Sequence, residues 1–431
     1  MSSNPKALIL CNDFPPLNSI GAERPYSWFL YFKENGIEPI VITKNWIDEA
    51  NRPEKKTSNF KKKTERVKTK EGEIIKVPHK LIFPEKLISK FGIKKYTFLR
   101  KSLTFIYKIL AFHFTFFDQH SNIFKSAKRY IKSNDIDFII TTGEPNILFK
   151  YGHKLKKLNK NIKFIADFRD GWFFDHVTSI NKSVFNKIIR KHEYFLEKQY
   201  MSNANLISSV DPLLCDNLQK FHNKNTACIY NGFWNYFASQ EEVKNHKLIL
   251  THTGTLTPGQ RVEFLISCLS ELIAENKVSI HDFELRFVGL NYYPLQVKRI
   301  KKITKEFSKA IVFTDRLSKN EASKKNIESD FLLTFTEENY NAIYAKTYNY
   351  IECKKQILVI PDDNSILGDL IKKNGLGFTF QTKTELKKFI FKKTKQKIVG
   401  KFNTDFNQSL KVDFFKRSNQ AKIFSSELLK L

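Results

Sequence analysis

The sequence predicts an α/β protein with two doubly wound, Rossmann-like parallel-sheet domains that face each other across a cleft. Short apolar runs typical of strands alternate with helical patterns, and this alternation starts twice, near residue 6 and near residue 247. The length of 431 residues suits two or three domains. Hydrophobic residues make up 41% of the chain and aromatic residues 14%, so folded cores are expected and a disordered chain is excluded.

The first series begins with a strand at residues 6–11, a loop with proline and glycine at 12–23, a helix at 26–35 and a second strand at 38–43. A strand, a loop, a helix and a second strand in this order form the start of a parallel sheet. Further strands of the same type are predicted at 137–143, 163–167, 205–210 and 227–230.

The second series defines the domain boundaries that we predict. The amino-terminal domain covers 1–235, with an insertion at about 52–130. A linker covers 236–246, the carboxy-terminal domain 247–400, and a final helix at 401–431 packs back toward the first domain. Ligands of doubly wound sheets bind beside the carboxyl ends of the strands, so the cleft is the expected site. The strands of the second series are predicted at 247–252, 284–289, 310–313, 331–335 and 356–360.

Positive charge is concentrated in one part of the chain. Lys and Arg number 73 against 44 Asp and Glu, and residues 52–101 hold 17 of the former and 5 of the latter. Such a surface attracts nucleic acid, anionic lipid or phosphorylated small molecules. Nucleic acid is disfavoured, because no zinc-finger, RRM, KH or basic-zipper pattern is present. The basic 52–117 region is therefore predicted to meet an anionic membrane surface.

The aromatic stretch at 103–117 predicts a helix with two alternative environments. A helical wheel places Lys101, Thr104, Lys108, Ala111 and Thr115 on one narrow strip and apolar residues over the rest. Either this is an ordinary core helix of the first domain, or part of its apolar face enters a membrane interface with help from the basic region.

Localisation is predicted to be cytoplasmic, at most peripheral on the inner face of the cytoplasmic membrane. The amino terminus lacks a signal-peptide pattern, and the longest apolar stretch is shorter than the roughly 20 residues that span a bilayer. Five scattered cysteines favour reduced thiols over a disulfide framework or a zinc site.

Two loops of the second domain have the composition of phosphate-binding loops. Gly254 and Thr255 follow a strand, and Arg261 stands just before the next helix, where it can bind phosphate oxygens. This first loop can also be an ordinary tight turn with an exposed Arg. The second loop, given next, can also be a helix with an aromatic core stripe. The second loop supplies Asn341, backbone amides near Ala345, Lys346 and Thr347, and the Asn349 side chain for sugar hydroxyls.

The first domain offers Asp167, Arg169 and Asp170 directly after a strand. One carboxylate can orient the arginine while the other faces a substrate hydroxyl, or an Asp/Arg pair can simply hold the loop. The amino-terminal loop would lie on the same rim, with Gly21 passing close to a ligand and Arg24 supplying charge.

Together these motifs resemble those of the family-4 retaining glycosyltransferases of the GT-B fold, in particular the bacterial branch that builds cell-surface polysaccharides. The resemblance covers most of the chain, and no single motif is diagnostic, but their order is the family's. In chain order they are the glycine loop at 14–24, Thr142-Gly143-Glu144-Pro145, Asp-Phe-Arg-Asp-Gly-Trp at 167–172, Ile229–Phe233, Thr253–Leu256 and Ser329–Leu333.

The resemblance implies a nucleotide-sugar donor, a UDP- or GDP-sugar, in the second domain and a lipid-linked or saccharide acceptor in the first. It implies retention of configuration, no cofactor and no obligatory metal, with Arg261 and the amides near Lys346 stabilising the leaving diphosphate. It makes Asp170 the first choice of base, beside Asp167 and Arg169.

One departure stands out from the family pattern. The family's two glutamates, eight residues apart, appear here as Asn341 and Asn349, which lack a carboxylate's charge. A non-catalytic binding protein and a sugar-nucleotide epimerase of the same fold therefore remain alternatives.

Overall fold

A computed structural model describes residues 4–17, 19–47, 63–92, 95–173, 184–237, 245–338, 341–362, 364–403 and 410–431. The chain divides into two compact units, Met1–Asn231 with Arg417–Leu431 (unit 1) and Gly232–Lys416 (unit 2). Each unit contains a parallel sheet with helices packed against it, which confirms the predicted α/β class with two Rossmann-like domains. No helix among the described residues is both long and apolar enough to cross a membrane.

Unit 1 is built on an eight-stranded sheet of order β3-β4-β2-β1-β5-β6-β7-β8, in which only β3 runs antiparallel to its neighbour. Its central strands are continuous apolar runs because both faces of the sheet are covered. The strands are β1 (Lys6–Leu10), β2 (Glu38–Lys44), β3 (Glu65–Lys68), β4 (Glu73–Val77), β5 (Phe138–Thr142), β6 (Lys163–Phe168), β7 (Leu206–Ser209) and β8 (Thr226–Cys228).

The strand order of this sheet reverses at β1, because β2 lies on one side of β1 and β5 lies on the other. Leu8 pairs with Ile40 of β2 on one side and with Ile139 of β5 on the other, and all three side chains are buried. Ligands of such sheets bind where the strand order reverses. The helices of unit 1 are α1 (Ile20–Tyr31), α2 (Phe83–Phe91), α3 (Thr97–Leu110), α4 (Ser121–Ser133), α5 (Ile147–Leu158), α6 (Val184–Met201), α7 (Pro212–His222) and, from the end of the chain, α14 (Arg417–Leu429).

The last helix of the chain packs on the first. Phe424 of α14 lies with its ring centroid 5.0 Å from that of Trp28 and 5.8 Å from that of Phe32. Arg417 forms an ion pair with Glu23 of α1 at 2.5 Å. These apolar and ionic contacts make α14 part of the core of unit 1.

Unit 2 has a six-stranded parallel sheet of order β11-β10-β9-β12-β13-β14, so its strand order reverses at β9. The strands are β9 (Leu248–Thr253), β10 (Phe283–Val288), β11 (Ile311–Phe313), β12 (Phe331–Phe335), β13 (Gln356–Ile360) and β14 (Gly377–Thr379). The helices are α8 (Val262–Ala274), α9 (Pro294–Ile303), α10 (Lys319–Ile327), α11 (Lys346–Glu352), α12 (Ile366–Lys373) and α13 (Lys383–Ile398).

The hairpin of β3 and β4 was not predicted. The sequence of β3, Glu65–Lys68, is mostly charged and lacks a strand pattern. Its strand conformation depends on pairing with β4, which in turn pairs with β2 through Ile74 and Ile75. The strand is therefore set by a neighbour in the sheet and not by its own residues.

Of the two environments left open for the helix predicted at 103–117, that of an ordinary core helix does not fit the structure. The helix α3 begins earlier and ends at Leu110, and none of its residues is buried. Phe98 is 87% exposed, and Phe116, in the turn that follows, is 71% exposed. Ala111 and Phe112, just after the helix, do pack partly buried against the core of unit 1, so the stretch is divided between the core and solvent.

Candidate functional site

A half-buried lysine, Lys346, joins the first turn of α11 to the loop after β9 in unit 2. The Nζ atom of Lys346 lies 3.0 Å from the Nε2 atom of His252 and donates to the carbonyl of Thr255 at 3.0 Å. An ammonium group has three donors, so these two contacts leave one N–H for a ligand. The sheet thus carries a cationic group at the carboxyl end of its central strand, where ligands of such sheets bind.

His252 is held as a neutral imidazole. Its Nδ1 atom donates to the carbonyl of Leu333 at 3.1 Å, which leaves Nε2 as the acceptor for Lys346. Burial, and then the neighbouring charge of Lys346, hold the pKa of His252 well below its usual range. A neutral His252 orients the ammonium without adding a second charge.

Burial also lowers the pKa of Lys346, to about 7. No carboxylate is in contact with this ammonium among the described residues. An anion bound beside it would favour the charged form and raise the pKa again. A lysine in this state is suited to binding a phosphate.

Arg261 lies at the carboxyl end of the neighbouring strand, β12. Its Nη2 atom donates to the hydroxyl of Thr336 at 2.8 Å, and its backbone N–H donates to the carbonyl of Thr336 at 3.1 Å. Because β9 and β12 are adjacent and parallel, Arg261 and Lys346 stand at the same edge of the sheet. The structure thus places the two cations that the sequence indicated at the carboxyl ends of two adjacent strands.

The loop itself differs from the predicted arrangement of free amides. Gly254 has a left-handed backbone with φ of 88°, which favours glycine, but its own N–H donates to the carbonyl of Val288 at 2.9 Å. Thr347 is buried, and its N–H donates to the carbonyl of Tyr344 at 3.0 Å. Neither amide is available to a phosphate, which corrects the prediction for Gly254 and Thr347. Thr255 stays in place as the carbonyl partner of Lys346.

The helix start near Ala345 offers less than predicted, because α11 has only seven residues and a correspondingly small dipole. Asn341 is occupied as well, since its Oδ1 atom accepts from the backbone N–H of Ile366 at 2.8 Å at the start of α12. Asn349 lies one turn into α11 and is partly exposed. The contact of the Asn349 side chain with a sugar hydroxyl stays a prediction.

Sequence analysis did not single out two residues that support the loop. The hydroxyl of Tyr350 accepts from the N–H of Thr253 at 2.9 Å and donates to the carbonyl of Leu333 at 3.3 Å, so it ties β9 to β12. Arg299 of α9 binds both carboxylate oxygens of Glu263 at 2.6 Å and the carbonyl of Gln260 at 2.9 Å. A tyrosine in a helical core stripe and an arginine on a basic helix carry no local signal of these roles.

In unit 1 the predicted residues Asp167 and Arg24 form a buried ion pair. The Nη2 atom of Arg24 lies 2.6 Å from Oδ1 of Asp167, and Nε lies 3.0 Å from Oδ2. The hydroxyls of Thr142 and Ser208 donate to the same carboxylate, each at 2.8 Å. Arg24 also donates to the carbonyl of Ile229 at 2.6 Å. Both side chains are at most 2% exposed, so the pair joins α1 to the sheet and does not face a substrate.

Arg169 and Gly21 come together, but not around a ligand. A Cβ atom on Gly21 would lie 1.8 Å from Nη1 of Arg169, so only glycine leaves room for the guanidinium. Arg169 donates to the carbonyls of Gly143 and Glu144. The close approach predicted for a ligand at Gly21 is thus made by Arg169. Asp170, the next residue, is exposed at the carboxyl end of β6 and stays the candidate base.

Metal ligands are not assembled in the described part of the chain. No group of three or more His, Cys, Asp and Glu side chains lies close enough there to hold a metal ion. Lys346 and Arg261 at the carboxyl end of the unit 2 sheet have only donor groups, which bind anions and not cations, while the carboxylate of Glu337 there accepts from the hydroxyl of Thr257 at 2.8 Å.

No protein-family model and no curated protein matches the chain. Solved structures do match it over its whole length. The chain aligns with HepE from Anabaena, in complex with UDP and glucose, at a TM-score of 0.58 and 12% identity, covering 99% of this chain and all of HepE. Sucrose-phosphate synthase from Thermosynechococcus elongatus aligns at a TM-score of 0.55 and 12% identity, covering 99% of this chain and 94% of the synthase.

A third structure, the trehalose-6-phosphate synthase OtsA, aligns at a TM-score of 0.62 and 9% identity, with 99% of each chain covered. At these identities the likeness shows the fold. The chain has the GT-B fold of these glycosyltransferases, with its two Rossmann-like domains.

Proposed function

We propose that the protein is a retaining glycosyltransferase that moves a sugar from a nucleotide sugar, a UDP- or GDP-sugar, to a lipid-linked or saccharide acceptor. The observation that carries the proposal is the Lys346 ammonium on the loop after β9, beside Arg261 at the same sheet edge. The fold supports it, since HepE, of the same fold, has been solved with UDP and glucose. Unit 2 would bind the donor and unit 1 the acceptor.

In the proposed reaction, the bond between the sugar C1 and the diphosphate oxygen breaks, and the diphosphate leaves with the electron pair. The acceptor hydroxyl forms the new bond to C1 on the same face, which retains the configuration. Lys346 and Arg261 would stabilise the charge that grows on the diphosphate, so the proposal needs no cofactor and no metal. The hydroxyl proton would pass to the leaving phosphate or to Asp170.

The proposal includes the location of the protein in the cell. A lipid-linked acceptor, in cell-surface polysaccharide synthesis, lies at the inner face of the cytoplasmic membrane. The basic region of unit 1 supports this location, because anionic lipid attracts juxtamembrane lysine and arginine.

Nucleotide-dependent thermal stabilisation tests the proposal. We expect one of UDP, GDP and ADP, or a sugar of one of them, to stabilise the protein by about 2.7 kcal/mol at 100 times its Kd. Product analysis then distinguishes the chemistries, because a transferase needs an acceptor and an epimerase leaves a changed sugar on its nucleotide. No stabilisation across the panel would contradict a donor site.

The product analysis also tests the proposed base. Unchanged turnover of Asp170→Asn would exclude its carboxylate as the base.

Donor binding is expected to depend on pH through Lys346. Its pKa is about 7 in the free protein and rises when the diphosphate binds, so binding takes up a proton. Affinity should be constant below pH 6 and fall by up to about tenfold per pH unit above 7. Calorimetry of a nucleotide sugar in buffers of different ionisation heat measures the uptake, because its diphosphate carries no terminal phosphate that titrates. Affinity that is constant between pH 6 and 9 would contradict proton uptake by Lys346 on donor binding.

A further inference from the structure

The helices α2 and α3 and the turn at 111–117 present apolar side chains to solvent. Phe98, Phe114 and Phe116 are 87%, 58% and 71% exposed. The patch is connected, since the rings of Phe91 and Tyr96 lie 5.3 Å apart between α2 and α3. Large exposed apolar patches mark interaction sites in soluble proteins.

The side chains of α3 are sorted around the helix axis. Phe98, Leu99 and Ile106 lie within an arc of about 100° and are exposed. Lys101 and Lys108 occupy a neighbouring exposed arc, as the helical wheel of the sequence indicated. An apolar arc flanked by lysine is typical of a helix that lies in a membrane interface, and 14 residues are too few to cross a bilayer.

The turn after α3 is held in place by two lysines that bind its backbone. The Nζ atom of Lys80 donates to the carbonyls of Thr115 and Phe116, each at 2.8 Å, and that of Lys150 donates to the carbonyl of Ala111 at 2.8 Å. Phe116 therefore points outward from an ordered backbone. Its exposure is a property of the fold.

The net charge of this face indicates the chemistry of the partner that covers it. Residues 80–117 contain eight Lys and Arg and one acidic residue, Glu85, which binds His79 at 2.9 Å. A partner must therefore be anionic around an apolar centre. A second copy of this positively charged face would be repelled, whereas an anionic lipid surface has both properties.

We propose that this face, formed by α2, α3 and the turn at 111–117, docks on an anionic lipid bilayer with Phe98, Leu99, Phe114 and Phe116 in the interface. The proposal deepens the proposed function, because it would bring unit 1 to a lipid-linked acceptor. It does not depend on donor binding, so the two can fail separately.

Co-sedimentation of the full chain with vesicles tests the docking. We expect binding to phosphatidylcholine vesicles that contain about 30% phosphatidylglycerol at about 0.1 M salt, and weak binding to phosphatidylcholine alone. The double variant Phe98→Ser, Phe116→Ser should bind about 100-fold more weakly, at about tenfold for each phenylalanine. The variant Lys101→Gln, Lys108→Gln should lose about fivefold per charge.

Matched controls are taken from unit 2, which does not contribute to this face. Leu295 is 79% exposed, so Leu295→Ser removes a comparably exposed apolar side chain and should leave vesicle binding unchanged. Lys302→Gln with Lys305→Gln removes two exposed charges in the same way. All variants are expected to keep their melting temperature and their nucleotide-dependent stabilisation, because the replaced side chains contact solvent.

Three results would overturn the proposal. These are equal binding to neutral and anionic vesicles, unchanged binding of the phenylalanine variant, and no vesicle binding at all. A dimer in sedimentation velocity that disappears in the phenylalanine variant, without vesicle binding, would assign the face to self-association instead.

Discussion

Lys346→Met is expected to weaken binding of the donor nucleotide sugar by about 100-fold, because it removes the half-buried charge that the proposed function places beside the diphosphate. The loss in kcat/KM should be larger, about 1000-fold, since the charge on the leaving group grows in the transition state. The melting temperature should not fall. The lowered pKa of Lys346 means that burying its charge costs free energy, and methionine of similar length avoids that cost.

Two further variants separate charge from packing in this experiment. Lys346→Arg keeps the charge and should retain more binding than methionine does. Lys324→Met removes an exposed lysine of α10 in the same unit and should bind the donor normally. If Lys346→Met binds the donor with wild-type affinity in calorimetry, the role of Lys346 on which the proposed function rests is contradicted.

Asp167→Asn is expected to destabilise unit 1 by about 3–5 kcal/mol, because it leaves the guanidinium of Arg24 buried without a counter-charge. For a domain of this size the melting temperature should fall by roughly 6–20 °C. The cause is structural, so donor binding by the remaining folded protein should be unchanged. Thermal unfolding and nucleotide titration of the same sample measure both quantities.

The comparison with Asp170→Asn makes this prediction specific. Asp170 is exposed just after β6, the strand that holds Asp167, and its replacement should change stability by less than about 0.5 kcal/mol. Replacing Arg24 by leucine together with Asp167→Asn should recover part of the loss, since no buried charge then remains. An Asp167→Asn protein that keeps its melting temperature but loses turnover would instead point to catalysis.

Much of the sheet architecture could be predicted because parallel strands covered on both faces are continuous apolar runs. The strands at Phe331–Phe335 and Gln356–Ile360 have the predicted bounds. The charged strand Glu65–Lys68 could not be found in this way, since its conformation depends on β4. A helix was predicted at 103–117 and lies at 97–110. Periodicity finds an apolar arc but does not say whether protein, lipid or water covers it.

For the site, the sequence by itself determined which residue types stand after which strands. Topology then brings Arg261 and Lys346 to one edge, because parallel strands end on the same side. Only the tertiary structure decided what each polar group contacts. The imidazole of His252 meets Lys346 across 94 residues, and Asp167 meets Arg24 across 143. Such contacts arise from packing in three dimensions, so no local pattern separates a buried ion pair from a cation that faces a substrate.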